Sequence, residues 1–284
     1  MTNADPEYPG APRIVWQLLT GRRTVEHSGP LLRTFVGLPS PLRDAVRWVL
    51  RPKRRFLFGR LRALSRDRVL SGPFAGMHLT GLPAAPELLG TYEREIFDVV
   101  RELTERPFRT LINLGARYGY YAVGMARLMP AVKVIAYEGN EEARAQLESA
   151  TEANGVQSRV TVAGYCEVPD LAAALETEGG VLVVCDIDGG EVPLLDPQLV
   201  GALTRATILV ECHGPAESPT EQVMVHRFLP THEVRRYAVE DRVLSHLPAG
   251  IAEPWRSRMP RTLEALMQEH RTLPQSWLLL TPRD

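Results

Sequence analysis

From residue 107 onward the chain alternates short apolar runs with amphipathic stretches. The runs at 110–114, 132–137, 159–163, 181–186 and 207–212 read as buried strands, and the stretches at 120–129, 140–154, 170–176 and 197–204 carry helical spacing. Asn140 stands as an N-cap, Glu141 and Glu142 follow in the electropositive first turn, and Gly155 takes the C′ position. A helix from Thr220 to Phe228, strands at 233–239 and 276–280, and a helix at 262–270 between them complete the pattern. Strands joined by helical crossovers specify a mostly parallel α/β sheet covered on both faces, and the last run predicts an antiparallel C-terminal strand.

Upstream the rhythm differs. Residues 1–12 hold Pro6, Pro9, Gly10 and Pro12 and read as a loose arm. Between 13 and 70 the spacing is helical but interrupted, and it is clearest at 41–50, where Leu42, Val46 and Val49 share a face, and at 56–70. Residues 72–86 read as a linker or small hairpin. A helix follows over 92–105, with Ile96, Val99, Val100 and Leu103 as its apolar stripe. The chain therefore divides into an N-terminal helical segment and linker, 1–90, and an α/β domain, 91–284.

Composition bounds the function without naming it. A chain of 284 residues with 24% charged and 44% hydrophobic residues and a formal net charge of −1 carries no global field toward nucleic acid or membrane. No apolar run approaches the ~20 residues of a membrane span. Three cysteines without a C-x-x-C pair do not make a disulfide framework, and the N-terminus lacks the charged start and apolar core of a signal peptide, so a cytoplasmic protein is expected. One local exception is 43–68, with ten basic residues against two acidic. A solvated helix face explains it; an RNA-binding surface is the sharper alternative, but aromatic residues are sparse there.

Chemistry-bearing residues cluster where strands end, which is where open α/β sheets bind ligands. Gly115 and Gly119 leave the first strand in a turn whose backbone can approach a ligand and whose following helix aims free N–H groups into it. Glu138 ends the second strand 19 residues after Gly119, placed to accept from ribose hydroxyls. These two features fit NAD as well as S-adenosylmethionine, although the spacing lacks the G-x-G-x-x-G phosphate cradle. Asp186, Asp188, Glu211 and His213 then gather at the ends of strands four and five. Three readings compete for them: Asp186 positioning the reactants with His213 as general base, a divalent ion held by all four, and a polar cluster that only shapes loops.

The stretches NLGARYGYY at 113–121, Tyr137-Glu138, DIDGGE at 186–191 followed by Leu194-Leu195, and LVECH at 209–213 together resemble the FkbM-like branch of class I S-adenosylmethionine-dependent methyltransferases. The likeness spans about 90–213, with LGTYE at 89–93 leading in. It departs at Asn113, where relatives often carry an acid, and at Asp188, where they often carry Glu.

The resemblance implies a Rossmann-like methyltransferase sheet that binds S-adenosylmethionine and methylates the hydroxyl of a small molecule or sugar, such as a natural product. By position it implies Asn113, Gly115 and Gly119 at the methionine moiety, Glu138 at the ribose, and Tyr165 and Cys166 flanking adenine. Glu93 would close the site, Asp186 would touch the cofactor, and Asp186 and His213 would act in catalysis. A small-molecule acceptor is the expected partner, with no membrane or nucleic acid, and the N-terminal helices are expected to form a lid or a homodimer contact. The rival readings are an RNA methyltransferase using the Arg-rich helices, a protein that binds S-adenosylmethionine without catalysis, and a nicotinamide-dependent oxidoreductase.

Overall fold

The computed structural model describes residues 52–81, 83–177, 179–213, 219–269, 271 and 275–283. The expected arm at 1–12, the helix at 41–50 with Leu42, Val46 and Val49, and loop residues 214–218 lie outside the described residues, as does His270. The chain divides into two compact units, Met1–Gly59 and Arg60–Asp284, the first described only over 52–59.

Helix α1, Pro52–Ser65, starts earlier than its spacing predicts and stops short of residue 70. The stop is conformational. Arg66 and Asp67 take left-handed φ values of 53° and 55°, and the Asp67 carboxylate accepts from Arg62 Nε at 2.6 Å. The chain then folds back as the expected small hairpin. Arg68 bridges His78 antiparallel, and the Val69 N–H reaches the Met77 carbonyl at 2.9 Å. Helix α2, Ala85–Leu89, ends at Gly90, and a 3-10 turn at Arg94–Ile96 leads into α3, Phe97–Glu105. Ile96, Val99, Val100 and Leu103 are all buried, as their spacing predicts.

The alternating segment follows: β1 Phe108–Leu114, α4 Tyr120–Leu128, β2 Lys133–Tyr137, α5 Glu141–Ala153, β3 Val160–Ala163, α6 Val168–Leu175, β4 Gly180–Cys185, α7 Glu191–Leu194, β5 Thr207–His213, α8 Pro219–Phe228, β6 His232–Ala238, α9 Trp255–Arg258, α10 Pro260–Met267 and β7 Gln275–Pro282. Asn140 caps α5 by accepting from the Ala143 N–H at 2.9 Å. A full helix at 197–204 does not form. Asp196 instead folds the chain into a turn, taking the Gln198 N–H on its side chain at 2.9 Å and the Leu199 and Val200 N–H groups on its carbonyl, and only a 3-10 turn at Gly201–Arg205 follows.

The seven strands form one sheet in the order β3-β2-β1-β4-β5-β7-β6. Neighbours from β3 through β5 are parallel, and β7 lies antiparallel between β5 and β6. This is the mostly parallel α/β sheet, closed by antiparallel C-terminal pairing, that the alternating pattern predicts. Ile112, Val183, Ile208 and Leu280 pack one face against Leu171 of α6 and Phe228 of α8. The alternate residues Leu111, Leu182, Val184 and Leu209 are buried as well, so the strands are covered on both sides. Each such side chain contributes roughly 1.5–3 kcal/mol by leaving water. No helix among the described residues is long and apolar enough to cross a membrane.

Strand order reverses between β1 and β4, so a crevice opens beyond their C-terminal ends.

Candidate functional site

Gly115 leaves β1 with φ 77°, and a Cβ placed there would lie 1.8 Å from the Asp186 carbonyl oxygen. The end of β4 therefore already requires a glycine there. Gly119, φ 96°, is crowded only by the side-chain methyl groups of Leu147 and Val123 among the described residues. The consequence is geometric: the turn after β1 and the carboxylate after β4 are locked together, because the Asp186 N–H also donates to the Leu114 carbonyl at 3.1 Å.

Glu138 meets this turn from the other side. Its Oε2 accepts from the Arg117 N–H at 2.8 Å and its Oε1 from the Asn140 N–H at 2.7 Å. The carboxylate is thus fixed at the mouth of the turn, with lone pairs left for further donors. Arg117 holds φ 45°, and its guanidinium lies over the Tyr118 ring, 4.9 Å from the centroid. Glu87 and Asp186 attract that charge, yet it makes no ion pair within 4 Å among the described residues. Tyr165, 76% exposed, lies against Gly139 beside Glu138. Cys166 is buried in the core under α6, and burial pushes its thiol up to about 12, which leaves it no nucleophile.

Asn113 is 2% exposed at the end of β1. Its amide N–H donates to the Val184 carbonyl at 3.3 Å, while its Oδ1 has no partner among the described residues. Glu93, fully buried with φ 50°, accepts from the Tyr121 hydroxyl and, at 3.2 Å, from Arg271. Burial first, and the Asp186 charge second, hold its carboxyl well above the usual range. Edge-to-face contacts of Tyr92 on Tyr120, and of Phe74 on Tyr120 and Tyr121, fasten this segment to α4.

The third group converges on His213. Its Nε2 lies 3.2 Å from Asp188 Oδ1, 3.4 Å from Glu211 Oε2 and 3.8 Å from Asp186 Oδ1. On the other ring edge, Nδ1 lies 3.3 Å from Glu191 Oε1. Glu211 and His213 share a face of β5, as alternation predicts. Asp186 and Asp188 do not sit on an extended strand: β4 ends at Cys185, and a turn with Asp188 at φ 51° brings the two together.

Charge in this group is crowded. Glu191 raises the proton affinity of His213 against the cost of burial, and Asp186 adds to it. Burial also acts on Glu191, but His213 and the Gly189 N–H outweigh it and hold that carboxyl below its usual range. Burial pushes both Asp186 and Glu211 up; Glu93 and Asp186 add to this at Glu211, while a hydrogen bond with Glu211 and the His213 charge work against it at Asp186. An imidazole that holds its proton is a poor resting base.

Sequence reasoning overlooked Glu191, Arg271 and Arg117. Glu191 lies in the DIDGGE stretch but carried no assigned role there. Arg271, which bonds Glu211, Glu93 and Glu269, comes from coil before β7, where no local pattern marks it. His78 is bound elsewhere: its backbone is tied to Asn154, the C-cap of α5.

No protein-family model matches the chain, and no curated protein sequence matches it. Among solved structures, the chain is similar to a precorrin-6y C5,15-methyltransferase from Geobacter metallireducens, at 13% identity over 66% of this chain and 89% of that one, with a TM-score of 0.43. It is also similar to the O-methyltransferase TomG of Streptomyces achromogenes, solved with S-adenosylmethionine, at 16% identity over 72% and 92% with a TM-score of 0.41. A third similar structure is the METTL16 MTase domain, at 13% identity over 79% and 80% with a TM-score of 0.47.

Proposed function

We propose that the chain is an S-adenosylmethionine-dependent methyltransferase, of the FkbM-like branch, that methylates a hydroxyl of a small molecule. The observation that carries this is the contact between Glu138, after β2, and the turn after β1, which borders the reversal of strand order between β1 and β4. A carboxylate held there suits a ribose diol, and the turn offers no glycine-rich cradle for a pyrophosphate. Asn113 Oδ1, a buried acceptor without a partner among the described residues, suits the methionine ammonium, and the Arg117 guanidinium suits its carboxylate. Tyr165 supplies an exposed ring beside Glu138 for the adenine, with Cys166 packed beneath it.

S-adenosylmethionine held there would supply an electrophilic methyl group, leaving as the neutral thioether once the acceptor oxygen has taken the methyl and given up its proton. The protein's share is alignment and proton removal. Asp186, Glu211 and His213 take that proton, and Glu93 with Arg271 closes the site. Segment 1–90 serves as lid or dimer contact in this reading. The acidic lining of the site favours a small acceptor over a nucleic acid, whose phosphates it would repel.

The test is calorimetry with S-adenosylhomocysteine and NAD, followed by transfer assays from methyl-labelled S-adenosylmethionine to hydroxylated metabolites and to RNA. Binding of S-adenosylhomocysteine without NAD, and label in the metabolites, supports the reading. Binding of NAD alone, or label only in RNA, contradicts it.

A further inference from the structure

We propose that Asp186, Glu211 and His213 form a binding site for a divalent first-row transition-metal ion, with Asp188 as an outer ligand. One atom from each of the three main residues can be chosen so that all lie within 4.8 Å of one another. The distances from His213 Nε2 to the carboxylate oxygens of Asp188, Glu211 and Asp186, 3.2 to 3.8 Å, are the more telling measure. Ligands bound at about 2.0–2.2 Å to one ion stand roughly 3.0–3.5 Å apart in tetrahedral or octahedral arrangement. The side chains already occupy nearly that spacing.

A second observation is independent of this acidic cluster. Glu191 is fully buried, faces the opposite ring edge of His213 at 3.3 Å, and its Oε2 has no partner among the described residues. A buried carboxylate behind an imidazole is the arrangement that orients a metal-bound histidine and fixes which nitrogen faces the ion. The Gly189 N–H donates to Glu191 Oε1 at 3.2 Å and holds it in place. Arg271 occupies Glu211 Oε1, which leaves Oε2 as the ligand atom. An imidazole with two carboxylates selects Mn²⁺, Fe²⁺ or Zn²⁺ over Mg²⁺, which prefers oxygen alone and keeps its waters. The existence of the site does not depend on the methyltransferase reading; its use does, since an ion there would polarise the acceptor hydroxyl and make its proton easier to release.

The metal-stripped chain is titrated by calorimetry with Mn²⁺, Zn²⁺ and Mg²⁺, and separately with S-adenosylhomocysteine. The expected result is one Mn²⁺ or Zn²⁺ per chain, bound more tightly than Mg²⁺. Glu191→Gln is expected to weaken it about 10–100-fold, and Asp186→Asn and His213→Ala by more. Should those variants unfold, Asp188→Asn, at an exposed position, is expected to weaken binding several-fold with the fold intact, and a metal-soaked crystal gives an anomalous peak beside His213. Folded wild-type chain that binds neither Mn²⁺ nor Zn²⁺ up to millimolar concentration overturns the site, as does an anomalous peak elsewhere. Binding of metal without S-adenosylhomocysteine leaves the site standing and overturns the methyltransferase reading instead.

Discussion

The Glu138 carboxylate and the Arg117 backbone N–H, 21 residues apart, meet at 2.8 Å and clamp the end of β2 to the turn after β1. This places an acceptor, a stacked cation and the end of β4 around one crevice. Glu138→Gln keeps the side chain's shape but removes the charge that ribose hydroxyls would meet. Hydrogen bonds to charged groups contribute about 1.5–3 kcal/mol, so the Kd for S-adenosylhomocysteine is expected to rise about 10- to 100-fold by calorimetry. An unchanged Kd would remove Glu138 from the cofactor site.

Arg117→Ala separates the two ends of the cofactor. The Kd for S-adenosylhomocysteine is expected to rise about 10-fold, the loss of one charge-assisted contact at a partly solvated position. Methylthioadenosine, which lacks the amino-acid carboxylate, is expected to bind within about two-fold of its wild-type affinity, since only a charged contact is removed. Equal losses for both ligands would place Arg117 elsewhere or give it a purely structural role.

Gly115 and Gly155 both have positive φ, 77° and 67°, but only Gly115 is crowded. Alanine at 155 meets nothing within 4 Å among the described residues and is expected to cost about 1–2 kcal/mol from the left-handed backbone alone. Alanine at 115 must push the end of β4 aside and is expected to cost ~3 kcal/mol or more. At about 2–4 °C per kcal/mol, thermal unfolding separates the two readily. Equal shifts would mean that the contact with the Asp186 carbonyl relaxes freely.

Glu211 gives the metal-free protein a pH signature. Its folded carboxyl holds the proton more tightly than the ordinary value near 4.3, so above that pH the folded chain binds more protons than the unfolded one. Stability carried by this group is therefore full below that value and is lost as pH rises toward the folded pKa. His213, also raised, adds the same sign above about 6.5. With chelator present, the urea midpoint of the wild type is expected to fall between pH 5 and pH 9, and that of Glu211→Gln to fall less. Parallel curves would show that Glu211 does not hold a proton in the folded state.

Much of this fold was written in local periodicity. The strands from 110 to 212, the Asn140 cap and the stripe Ile96–Val99–Val100–Leu103 need only neighbouring residues: the strands formed with edges shifted by at most two positions, and the stripe is buried although its α-helix starts at Phe97, five residues later than its spacing predicts. Glu211 and His213 came together because alternation on one strand is a local rule. Other features were long-range and left no local trace. Arg271 reaches Glu211 from 60 residues away through coil, and Gly115 is fixed by a carbonyl 71 residues later. The stretch at 197–204 misled because its helical spacing ignored Asp196, whose side chain and carbonyl capture the backbone in a turn.

The central claim is the place of the cofactor, and a crystal structure with S-adenosylhomocysteine tests it most directly. The account predicts the ribose hydroxyls within hydrogen-bond distance of Glu138, the amino-acid end between Asn113 and Arg117, and the sulfur facing Asp186. A ligand bound away from the Gly115–Gly119 turn, or a ribose turned from Glu138, would contradict it.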